Sequence, residues 1–105
     1  MSRLEYIKRA VEQAAGCKAI HADTEAVVEV FRGQVMWEGM VEIFDLHGHP
    51  KAKRAYGWGT GEGKGAKYTA VLEIPPVTSS NTAVRAAIAA QERDDKVTRN
   101  RLTSP

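Results

Sequence analysis

EAVVEVFRGQVMWEGMVEIFDL, residues 25–46, is the stretch that decides the fold. Val27, Val28, Val30 and Phe31 lead into Gly33 and Gln34, and Val35, Trp37, Val41, Ile43, Phe44 and Leu46 follow, a density of β-branched and aromatic residues that favours strands. Two residues between the runs is hairpin spacing, and Gly33 supplies the positive φ of a tight primed turn. Alternation divides the second strand into two faces, Trp37, Val41 and Ile43 on one and Met36, Met40, Phe44 and Leu46 on the other. Both faces are partly apolar, so each needs a cover.

On the N-terminal side, Leu4, Ile7, Val11 and Ala14 recur at helical spacing between Arg3, Glu5, Lys8, Arg9 and Glu12, with Ser2 to cap the start and Gly16 the end. On the C-terminal side, Lys51 to Trp58 reads as a strand holding Arg54, Tyr56 and Trp58 on one face. Ala66 to Ile74 reads as a second strand, stopped by Pro75 and Pro76. Between them Gly57, Gly59, Gly61, Gly63 and Gly65 fall at every second position, which predicts a mobile hairpin tip or Ω-like loop. Thr78, Ser79 and Ser80 offer caps for a second helix whose face is Val84, Ala87, Ile88 and Gln91 and which ends near Asp94.

The expected architecture is therefore α+β: an N-terminal helix, an antiparallel sheet of four or five strands and a C-terminal helix, both helices packed on one sheet face. Residues 1–95 form a single domain, and 96–105, with two apolar residues and no pattern, are expected to be a disordered tail. With both helices used on one side, the face carrying Met36, Met40, Phe44 and Leu46 stays open. A homodimer is the expected cover.

Composition narrows the setting. The 105 residues carry one cysteine, Cys17, which excludes an internal disulfide, and neither a secretory leader nor an 18-residue apolar run is present, so a soluble cytoplasmic protein is expected. A net charge of +2 conceals a polarised middle: residues 18–46 hold two bases and six acids, and 47–68 hold five bases and one acid. Neighbouring strands of opposite charge can pair, or they can leave two patches on the surface.

No motif carries catalysis. The glycine run lacks the spacing of a dinucleotide fingerprint, with Glu62 where the third glycine belongs, and it lacks the hydroxyl that follows the lysine of a P-loop, since Gly65 follows Lys64. No cofactor is expected. Asp45, His47 and His49 are weak metal candidates, because strand alternation would gather them on one face while Gly48 and Pro50 break the strand. No nucleophile has a base at a readable spacing, and the reading leans away from an enzyme.

Lys51, Lys53, Arg54, Tyr56, Trp58, Lys64, Lys67 and Tyr68 form the candidate partner-binding set, cations for phosphates or carboxylates and aromatics for stacking. The order helix, strands, helix resembles in outline the double-stranded RNA-binding domain. That module opens its last helix on a lysine cluster, whereas SSNTAVRAA, residues 79–87, offers Arg85 alone. The expected function is a small non-enzymatic binding or assembly protein acting through the basic-aromatic strand and glycine-rich loop, residues 47–68, on an anionic or protein partner. The alternatives are a nucleic-acid-binding protein using the same surface, and a small enzyme or ligand-binding protein with a pocket lined by Trp37, Tyr56, Trp58 and Tyr68.

Overall fold

The computed structural model describes the backbone of residues 2–103 and the side chains of residues 2–91. Its elements are α1 (Arg3–Ala15), β1 (Lys18–Phe31), β2 (Gln34–His47), β3 (Arg54–Thr60), β4 (Lys67–Leu72) and α2 (Ser80–Thr103). The four strands form one antiparallel meander in chain order.

The caps of α1 are those the sequence offers. Ser2 Oγ accepts from the Glu5 N–H at 3.2 Å, and Gly16 ends the helix in the left-handed region with φ 69°. Glu12 then accepts from the Ala19 N–H at 3.1 Å, which fixes the turn into β1. The long hairpin turns one residue earlier than expected. Its corner is Arg32 and Gly33, with φ 53° and 77°, because a primed turn that matches strand twist needs both central residues at positive φ. The start of α2 is capped by Ser79, whose Oγ accepts from the Thr82 N–H at 3.2 Å. Its backbone stays helical to Thr103, past the end near Asp94 that the sequence suggested. Of the expected disordered tail, residues 104 and 105 lie outside the described residues.

The two helices lie on opposite faces of the sheet, not on one. Ile7 and Val11 of α1 cluster with Ala19, Phe44 and Ala55, whereas Ala83 and Val84 of α2 cluster with Val27, Val41, Ile43, Tyr56 and Trp58. Residues 43 and 44, or 55 and 56, are consecutive in a strand and so point to opposite sides. β3 shows why the sheet accepts two covers. One side of it is Tyr56 and Trp58; the other is Ala55, Gly57 and Gly59, flat enough for a helix to approach closely. A Cβ on Gly57 would sit 2.6 Å from Ile7 Cγ2 and 3.0 Å from Val11 Cγ2. The alternating glycines at 57 and 59 therefore belong to β3 and not to a loop, as a clearance for α1.

β1 and β2 are each 14 residues long, but β3 pairs with only Glu42 to Asp45 of β2. The upper part of the β1–β2 hairpin thus projects beyond the rest of the sheet as a two-stranded arm. Trp37 stays half-buried against the α2 side, edge-on to Trp58 at 5.6 Å, and its indole lies over Gly39, where an added Cβ would meet the ring at 3.0 Å.

Candidate functional site

The eight expected binding residues do not share a surface. Tyr56 and Trp58 are 3% exposed, sealed beneath α2. The Tyr56 hydroxyl donates to the Glu73 carboxylate, and burial followed by that carboxylate holds its pKa far above the usual phenol value. Arg54 shares the Tyr56 face as predicted and forms an exposed ion pair, 3.3 Å, with Asp45, its directly opposed partner in β2. That contact is the described cross-strand pairing of the acidic and basic segments. Lys51 and Lys53 are exposed in the turn before β3, while Lys64 lies in the β3–β4 loop and Lys67 at the start of β4.

The metal candidates separate for the same kind of reason. Asp45 is committed to Arg54, and His49 Nδ1 accepts the backbone N–H groups of Lys51 at 3.0 Å and Ala52 at 2.8 Å, which makes it the organiser of its own turn. Among the described residues no group of three metal-ligating side chains forms. A different cluster sits where β1 is irregular, between His21 and Asp23: Thr24 donates to Glu42, and His21 Nε2 faces Glu42 at 2.9 Å and the Thr24 hydroxyl at 3.2 Å. A hydroxyl-imidazole-carboxylate relay needs the acid on one ring nitrogen and the hydroxyl on the other. Here both share Nε2, so the geometry is that of a surface hydrogen-bond knot.

The expected aromatic pocket is divided as well. Trp37 and Trp58 line an open groove of about 960 Å³ between α2 and β4, together with Lys67, Val71, Ile74 and Ile88. Tyr56 is turned to Glu73, and Tyr68 lies on the α1 face, stacked on Tyr6 with ring centroids 5.5 Å apart and planes at 14°.

Two surfaces remain that the sequence reading did not assemble. The first is the arm. Val28, Val30, Phe31, Val35, Met36 and Met40 are all strongly exposed, the largest being Phe31 at 61%. The predicted open face is thus half right: α1 covers Phe44, which is fully buried, and half-covers Leu46, leaving Met36 and Met40 outside. On the other side of the arm Glu29 is buried, accepting from Asn81 at 2.7 Å and from Arg85, and these hydrogen bonds hold its carboxyl below the ordinary value. That network fastens α2 to the upper half of the arm, where Glu29 lies opposite Trp37 and two residues before the end of β1. The second surface is a cleft of about 590 Å³ between the first turn of α1 and the β3–β4 loop, lined by Arg3, Tyr6, Glu62, Lys64 and Tyr68. Lys64 and Tyr68 are two of the eight expected residues; Arg3 and Tyr6 come from a helix face that the apolar periodicity left unassigned.

No family model, curated protein or solved structure matches the chain. No helix among the described residues is long and apolar enough to cross a membrane.

Proposed function

We propose that this is a small non-enzymatic assembly protein that pairs with a second copy of itself through the β1–β2 arm. The observation that carries the reading is the exposure of Val28, Val30, Val35 and Met40 on the face of the hairpin arm turned away from α2, while Phe31 and Met36 lie beside Arg85 and Ile88 of α2. Together the four present on the order of 300 Å² of apolar surface, within the range of the largest patch on a monomer. Two such faces with their polar rims would bury less than roughly 1,200 Å² in total, the range of a weak, concentration-dependent pair.

Charge on the arm favours its own copy as the occupant. Arg32 at the tip lies over the Phe31 ring, 5.2 Å from its centre, and Glu38 lies opposite Val28 further down. The two charges are about 13 Å apart along the strands at roughly 3.3 Å per residue. Midway between them, Val30 pairs with Val35. A two-fold axis through that pair sets valine on valine at the centre and brings Arg32 of each copy to Glu38 of the other, the self-complementary pattern of an isologous dimer.

Charge reversal tests it. Arg32→Asp, an aspartate being tolerant of positive φ, and Glu38→Arg are each expected to weaken self-association at least tenfold by sedimentation equilibrium. An equimolar mixture of the two variants restores it, because both contacts are then opposite in sign. Single variants that associate like the original protein, or a mixture that does not recover, would overturn the arrangement.

A further inference from the structure

The arm leaves another surface unexplained: the cleft where α1 begins and the glycine loop turns. We infer that this cleft binds single-stranded nucleic acid, with a base stacked on Tyr6 and the adjoining phosphate held between Arg3 and Lys64.

The cleft is built across a long sequence separation. Arg3 Nη1 donates to the Gly61 carbonyl at 3.0 Å, and its guanidinium lies along Gly59, where a Cβ would stand 3.0 Å from Nε. Glycine at 59 is what admits the planar group there. Gly61, at φ 79°, turns the chain above it, and Gly63, at φ 58°, places Lys64 on the far rim. Arg3 is thereby fixed in place before any ligand arrives, so little side-chain entropy is lost on binding.

The floor is the Tyr6–Tyr68 pair, stacked at 14°. Tyr68 is backed by the sheet, while Tyr6 is 43% exposed and offers an outer ring face. Two cations beside a free aromatic face match a nucleotide whose base is accessible, which is the condition in single strands and not in duplexes. Glu62 on the rim opposes high affinity for a simple anion, leaving the aromatic contact to distinguish ligands. Lys51 and Lys53 precede β3, whereas the loop follows it, so they stand at the other end of the strand and serve as controls.

The experiment is fluorescence anisotropy with labelled dT12 and rU12, a duplex of the same length, and polyphosphate as competitor. Expected is micromolar binding to the single strands at 50 mM salt, weakening roughly sevenfold at 200 mM if two phosphates are neutralised. The duplex binds more weakly. Tyr6→Leu, which keeps an apolar side chain against Tyr68, lowers affinity about tenfold; Lys64→Gln lowers it and flattens the salt dependence; Lys51→Gln with Lys53→Gln changes neither. Circular dichroism confirms that each variant is folded. Absence of binding at 50 mM salt overturns the inference. So does binding that depends on Lys51 and Lys53 instead, or binding that survives Tyr6→Leu and is displaced fully by polyphosphate, which would make the cleft an anion site without stacking.

Discussion

Replacing Gly57 by alanine reads directly whether α1 occupies the face assigned to it. Gly57 is buried in extended backbone, so the substitution introduces no strain of φ; what it introduces is a methyl group 2.6 Å from Ile7 Cγ2 and 3.0 Å from Val11 Cγ2. Forcing a carbon into a packed site costs about 1–3 kcal/mol. Against this, alanine in a strand is favoured over glycine by about 0.5–1 kcal/mol. The expected balance is a loss of about 1–2 kcal/mol, seen as a lower urea midpoint followed by tryptophan fluorescence at one fixed protein concentration. Ile7→Leu removes the Cγ2 methyl, so Gly57→Ala costs less in that background, and the difference measures the contact. Gly65→Ala, where nothing lies within 4 Å, is the control and leaves the midpoint unchanged or slightly raised. A Gly57→Ala midpoint at or above the original would refute the packing, because the methyl would then have met open space.

Trp58→Ala removes a core side chain that also meets Trp37 edge-on, and it should cost about 3–5 kcal/mol while shifting the emission of the remaining Trp37 to longer wavelength; an unchanged midpoint would show that α2 does not seal this face. Glu29 gives a pH signature. Its folded pKa is lowered, so its stabilisation is complete above the unfolded value of 4.5 and is lost as pH falls through the lower folded value. Glu29→Gln should therefore be less stable than the original near neutral pH, with a gap that narrows as the pH falls below 4.5. A gap constant across that range would mean that the charge contributes nothing.

Local order was legible in the sequence because local chemistry fixes it: the caps Ser2 and Gly16, the two strand faces of β2, and Arg54, Tyr56 and Trp58 on one side of β3. The assignment of helices to faces was not. Gly57 and Gly59 look like flexible loop residues when counted with Gly61, Gly63 and Gly65, and only the position of Ile7, Val11 and Arg3 shows the first two to be clearances. The hairpin slipped by one residue because Arg32, an uncommon choice at positive φ, takes a place where Gly33 and Gln34 look better suited. Glu29, between Val28 and Val30, finds the partners that satisfy it only in Asn81 and Arg85, more than fifty positions later. The binding residues were hardest. Tyr56 and Trp58 carry the composition of a stacking surface, yet burial beneath α2 takes them out of reach, while Tyr6 and Phe31 lie outside the segment whose composition drew attention.

The claim that the arm is an interface is tested most directly by sedimentation velocity of the unmodified protein between about 1 and 200 μM, alongside the variant Val30→Ser, Val35→Ser. The account predicts a monomer that converts to a dimer as concentration rises, and a variant that stays monomeric with an unchanged circular dichroism spectrum. A monomer at every concentration, or a dimer that the two serines leave intact, would contradict it.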